Sequence, residues 1–214
     1  ATNKAVNTAN NAVNTMANTV AEPMPEIDIS QPFTPGEDPK NDLLSSTMRL
    51  QAHDAWSATL ENNLMPEMKT ELEYLKPDRY RIKNPVSEVI VIGSDAYVKE
   101  KGFWKKIPED IGAQINAMKK SFNAESMKAL KEVKKIGTEK IGGKDATIYT
   151  YSVTAGENTP PNSTKVWIAG DGLPLKIVVE TQNADATQIV TTKYDYDKKI
   201  KIEAPEVKDE PVKK

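Results

Sequence analysis

Cysteine is absent from the 214 residues, which excludes a disulfide framework, a thiolate metal site and a cysteine nucleophile. Histidine is almost absent. His53 stands alone, and one imidazole without a second His or Cys cannot build a typical zinc site. A Ser-His-Asp arrangement would also need a nucleophile, and no serine stands out for that role. No apolar run approaches the roughly 20 residues that a bilayer-spanning helix requires. Charge of one sign is lacking too: Lys+Arg (29) and Asp+Glu (31) leave a formal charge of -2. No overall field therefore draws in nucleic acid or an anionic membrane.

Carboxylates are present in number but not in a catalytic setting. Glu71 and Glu73 alternate onto a polar strand face with no apolar pocket to raise a pKa, so glycoside hydrolysis has no support. Asp195 and Asp197 lie in a strand pattern that lacks the glycine and distal glutamate of a calcium loop. The Gly-containing turns of "GSDAYVKEKG" and "IGGKD" do not follow the phosphate-loop pattern. We therefore expect no metal, no cofactor and no enzyme activity.

The length suits one domain, given the usual size of roughly 100–200 residues. Residues 1–41 are rich in Asn, Thr and Ala, then in Pro and acidic residues. Such a segment buries too little apolar surface to offset its ordering entropy, and reads as a flexible N-terminal tether. Residues 206–214 read as a charged C-terminal tail, leaving a globular part over 42–205. The first residue is Ala1, which suits a mature chain with a lipid anchor just upstream.

Within 42–205 the periodicity changes several times. Asp42 can cap a helix carrying Leu44, Met48, Ala52 and Ala55 at helical spacing, ending near Trp56. Residues 67–74 alternate, with Met68, Leu72 and Tyr74 opposite Lys69, Glu71 and Glu73, as a strand with one wet face does. "RYRI" alternates again, and "SEVIVIG" is too apolar to face water on either side. A hairpin turns at Gly102, and Pro108 suits the first position of a helix. From Glu109 to about Lys135 the spacing is helical, through Ile111, Ile115, Met118, Phe122, Met127, Leu130 and Val133. Gly142-Gly143 and Asp171-Gly172 mark two further hairpins, and "TQIVTTKYDYDKKIKIEAP" closes the sheet.

Strands, then helices, then more strands, without βαβ alternation, predict an α+β fold on a curved antiparallel sheet. The amphipathic helices must bury their apolar side, and the concave face of the sheet is the place for it.

The phrases "PDRYRI" (77–82), "VIGSDAYVKEKGFWKKIP" (91–108), "IGTEKIGGKDATIYTY" (136–151), "KVWIAGDGLPLKI" (165–177) and "YDYDKKIKIEAP" (194–205) together resemble the bacterial lipoprotein carriers. That superfamily holds the periplasmic lipoprotein carrier, its outer-membrane receptor and the mycobacterial lipid-carrying lipoproteins. The resemblance implies an unclosed antiparallel β-barrel with helices covering or plugging its concave side, and an apolar interior that receives acyl chains. None of Arg49, Arg79 or Arg81 matches the lid-locking arginine of the classical carrier.

On this reading the ligand-binding residues are Trp56, Leu72, Tyr74, Ile90, Trp104, Tyr149, Trp167 and Ile177 on strands. Ile111, Ile115, Met118, Phe122, Met127 and Leu130 on the helices complete the lining. Methionines suit a lid that repacks around varied chains. For every one of these residues the plainer reading is ordinary core packing. The expected function is non-catalytic binding and transport or presentation of a lipid or an acylated lipoprotein, by a monomer in the periplasm or at the cell surface. The alternative is a module whose core is filled by its own helices and which binds an envelope protein through its surface.

Overall fold

The computed structural model describes residues 27–107, 129–153, 162–183 and 186–207. They contain one helix, α1 (Pro39–Ala52), and eleven strands. These are β1 (Ala55–Asn62), β2 (Thr70–Leu75), β3 (Arg79–Lys83), β4 (Glu88–Ile92), β5 (Asp95–Glu100), β6 (Phe103–Ile107), β7 (Lys131–Ile141), β8 (Lys144–Val153), β9 (Asn162–Ala169), β10 (Pro174–Gln182) and β11 (Thr187–Asp195). The strands form one antiparallel sheet in the order β6-β5-β4-β3-β2-β1-β11-β10-β9-β8-β7. Among the described residues its edges, β6 and β7, are not paired with each other, so the sheet is unclosed, as the resemblance implied. Contacts divide the chain into two compact units, Ala1–Gln51 with Ala117–Ile189, and Ala52–Asn116 with Val190–Lys214.

In the first unit, Asp38 begins α1: its Oδ1 accepts the Lys40 amide at 2.9 Å, and Pro39 takes the first helical position. The helix thus starts ahead of Asp42, which lies in its first turn and is buried. Leu43 and Leu44 project from α1 onto Leu130, Tyr149, Val166 and Ile168 to make the core. Ile27 and Phe33 pack against that core although they lie in the segment read as a tether. Two glycines shape the hairpin between β7 and β8, Gly142 and Gly143 both having positive φ.

Two helical readings are corrected here. The first helix stops at Ala52, and Trp56 belongs to β1, because the small residues of "AWSATLEN" let a strand pass for a continued helix. Residues Lys131–Lys135 begin the edge strand β7 and are not helical. An exposed edge strand has no apolar alternation to announce it, and Leu130 and Val133 mimic a helical spacing.

The second unit is a meander from β1 to β6 with β11 beside β1. The β5–β6 turn places Lys101 and Gly102 at φ 50 and 87, the geometry of a two-residue hairpin. Strand β11 does not close the sheet but lies inside it, paired to β1 from Asp195 to Val190. After Asp195 the chain leaves the ladder and crosses one face of the unit, where Ile200 and Ile202 pack with Ile90, Tyr97 and Trp104. Ile202 is fully buried, a contribution of about 1.5–3 kcal/mol. Arg79 Nη1 donates to the Ile202 carbonyl at 2.9 Å and fixes the crossing.

Candidate functional site

Antiparallel register places directly paired residues on the same face. In the second unit it aligns Trp56, Tyr74, Tyr80, Val91, Ala96 and Ile107 in one row from β1 to β6. The neighbouring row is Ala58, Leu72, Ile82, Val89 and Val98, ending on Lys105. The result is one nearly continuous apolar face. Trp56 and Tyr74 stand with ring centres 5.5 Å apart, Tyr74 and Tyr80 5.1 Å apart, and Trp56 meets Tyr194 edge-on at 5.6 Å. Burial holds the hydroxyls of Tyr74 and Tyr80 above the ordinary tyrosine pKa, so both stay neutral at any physiological pH.

The reverse face is a charged lattice. Glu73, buried at 8 % exposure, accepts from Arg81 at 3.2 Å and Lys198 at 2.7 Å. Glu88 pairs with Arg81 and Lys99, each at 3.6 Å, and the Lys99 ammonium lies 5.6 Å from the Trp104 ring centre. The wet face expected for β2 is therefore covered at Glu73 by the C-terminal crossing. A crevice of about 410 Å³ opens here between Arg81, Glu88, Lys99, Trp104, Lys201 and Glu203. Its paired charges make it a poor container for hydrocarbon.

The sequence-named residues thus separate. Trp56, Leu72 and Tyr74 share the apolar face, whereas Ile90 and Trp104 sit on the charged side under the C-terminal crossing. In the first unit Leu130, Tyr149 and Ile177 join the core beneath α1. Trp167 points the opposite way: its Nε1 donates to Glu139 at 2.7 Å, and the ammonium groups of Lys165 and Lys176 stand 4.8 and 4.5 Å from its ring centre. Ile111, Ile115, Met118, Phe122 and Met127 lie outside the described residues. Tyr80, Val89, Val91, Ala96 and Ile107 extend the apolar face but were not named from sequence. The alternation of "RYRI" already pointed to Tyr80, while "SEVIVIG" is apolar at every step and hides which residues face which way.

Asp42 and Tyr149 form the buried polar pair of the first unit. The Tyr149 hydroxyl donates to Asp42 Oδ2 at 2.7 Å, and the Gly36 amide donates to the same carboxylate at 2.9 and 3.1 Å. These contacts tie the chain before α1 to strand β8. His53 is engaged structurally, with Nδ1 2.7 Å from the Ala55 carbonyl and its ring against Tyr196. Among the described residues no group of three His, Asp or Glu side chains is placed to hold a metal ion.

No family model and no curated protein matches the chain. Solved structures do. The lipoprotein LppX of Mycobacterium tuberculosis aligns with a TM-score of 0.59 at 12% identity, covering 77% of this chain and 98% of that one. LprF from Mycobacterium bovis aligns at 0.57 and 12% identity, covering 81% and 99%. The chain therefore has the fold of these two mycobacterial proteins, and its resemblance to the lipoprotein carriers holds at the level of fold.

Proposed function

We propose that this chain binds the acyl chains of a lipid or lipidated protein in the bacterial cell envelope, and carries or presents them without covalent chemistry. The observation that carries this reading is the apolar face of the second unit, a row of six aromatic and aliphatic residues from Trp56 to Ile107 uninterrupted by a charged side chain. Five strand spacings of about 4.8 Å make that row about 24 Å wide, enough to lay down an extended acyl chain. At about 0.8 kcal/mol per buried methylene, ten methylenes contribute about 8 kcal/mol, so shape and apolarity suffice for tight holding. The fold shared with a mycobacterial lipoprotein supports the reading. In it, the residues before the packed segment act as a tether to an envelope membrane, and those after the C-terminal crossing as a charged tail.

A second reading rests on a specific observation. Tyr74 and Tyr80 are 3% and 6% exposed, and Val91 and Ala96 are fully buried. A core filled by the chain itself would look the same, and the protein would then act through its surface on an envelope partner. Native mass spectrometry of the purified chain, followed by organic extraction, separates the two. Acyl species released on denaturation support the carrier. A single ligand-free mass, unchanged after incubation with phospholipid or a lipopeptide, supports the filled module.

A further inference from the structure

Among the described residues, six large hydrophobic side chains are conspicuously exposed, and five of them belong to the second unit. Leu64 (48%) and Met65 (39%) sit on the β1–β2 turn, Val86 (74%) on the β3–β4 turn, and Phe103 (38%) at the β5–β6 turn. In an antiparallel meander these alternate turns all fall at the same end of the strands. Val207 (45%) joins them, because it bridges to Trp104, the residue after Phe103. The meander has thus gathered its exposed apolar surface onto one rim.

We infer that this rim is a membrane-docking surface whose turns insert into the interface of a lipid bilayer. Three features favour a bilayer over a protein partner. First, alternate turns stand about 10 Å apart, two strand spacings, so the tips project separately instead of forming one flat patch. A fluid surface accepts separate tips, whereas a protein interface needs a packed, continuous centre.

Second, the tips carry backbone groups already satisfied from within. The Leu64 amide donates to Asn62 Oδ1 at 3.0 Å and the Met65 amide to the Asn62 carbonyl at 3.1 Å. On the next turn the Val86 and Ser87 amides both donate to Asn84 Oδ1, at 3.0 and 2.8 Å, and the Asn84 amide to the Ser87 carbonyl at 2.9 Å. Pro66 and Pro85, beside Met65 and Val86, have no amide hydrogen to satisfy. An unsatisfied amide makes irregular backbone costly in a low-dielectric medium, and these internal bonds lower that cost at the tips of the two turns.

Third, the charges flanking the rim are mixed, Lys69, Lys83, Lys99 and Lys101 against Glu67, Glu88 and Glu100. Attachment is therefore by apolar insertion and not by attraction to anionic lipid.

The inference is independent of what the apolar sheet face holds. It is tested by flotation of the full chain with phosphatidylcholine vesicles, with and without phosphatidylglycerol. We expect binding to both, changing less than about twofold between low and high salt, since screening acts on charge and not on apolar insertion. The variant carrying Leu64→Ser, Val86→Ser and Phe103→Ser is expected to partition at least about tenfold more weakly while keeping its melting temperature and any lipid load. Phe103→Trp supplies a second readout, the emission it adds to that of the three native tryptophans shifting blue on vesicles and being quenched by brominated lipid, as a difference from the parent chain. Absence of vesicle binding, equal binding by the triple variant, or binding only to anionic vesicles at low salt would each overturn the inference. Lipid co-purification is measured separately, so docking can hold where carrying fails, and the reverse.

Discussion

Replacing Tyr149 with Phe removes one oxygen from a site that has no room to compensate. The ring remains, fully buried against Val166 and Ile168, so no cavity forms. What is lost is a 2.7 Å hydrogen bond to a carboxylate that is itself 5% exposed. Hydrogen bonds to charged groups contribute about 1.5–3 kcal/mol, and Asp42 keeps only the Gly36 amide among the donors described above. We therefore expect a loss of about 2 kcal/mol, or about 4–8 °C in melting temperature for a chain of this size. Asp42→Ala should cost more, because it orphans both the Tyr149 hydroxyl and the Gly36 amide. The double variant should cost clearly less than the sum of the two singles. Urea unfolding of the three variants provides the cycle. A Tyr149→Phe loss below about 0.5 kcal/mol, or additive singles, would show that the Asp42 contact does not hold the segment before α1 to the sheet.

Other consequences follow from the same geometry. Ile202→Ala empties a fully buried site over Ile90 and Tyr97 and should cost about 2–4 kcal/mol in denaturant unfolding. Glu73→Gln leaves Arg81 and Lys198 without their shared carboxylate, and we expect about 1–3 kcal/mol of destabilisation. Gly172→Ala meets a backbone at φ +84 and sets its Cβ 2.5 Å from Arg49 Cδ and 2.8 Å from Phe33 Cγ. A thermal melt should show a loss of about 1–3 kcal/mol. Burial raises the pKa of Tyr74, Tyr80, Tyr149 and Tyr151. The folded chain then keeps protons that the unfolded chain releases, so stability is full below about pH 10 and falls as pH rises further. In an alkaline titration the tyrosinate absorbance of these four should arrive together with unfolding, not ahead of it.

The hairpins were legible because their turns are written in residues with a single job. Gly102, Gly142, Gly143 and Gly172 supply the positive φ that the turns require, and the strands between them follow. Strand β1 was illegible because Ala52, Ala55 and Ala58 carry no periodic signal strong enough to stop a helix. The first half of strand β7, Lys131–Lys135, was illegible for the opposite reason: it is an edge, exposed at nearly every residue, so "KEVKK" shows no buried side, and only the stretch leading into Gly142-Gly143 read as a strand. The apolar face was partly legible, since Leu72, Tyr74 and Tyr80 alternate with charges. Ile90 and Trp104 take the opposite side of the sheet, and Trp167 points away from the core beneath α1. Continuous runs such as "VIVI" and "VWIA" mark strands covered on both sides, and only the register decides which side each residue takes. The role of Ile202 was hidden because "KIKIEAP" alternates as a strand does, yet the chain there lies across the sheet, outside the ladder.

The tryptophans provide the most direct measurement of the central claim, since Trp56 lies on the apolar face, Trp104 on the charged side of the same unit, and Trp167 beside Glu139 in the other. Three single-tryptophan variants, made by replacing the other two with Phe, would be titrated with a brominated fatty acid that quenches indole on contact. The account predicts saturable quenching of Trp56, with Trp104 and Trp167 unaffected at the same concentration. Quenching of Trp104 or Trp167 in its place, or of none of the three, would contradict the assignment of the acyl site to this face.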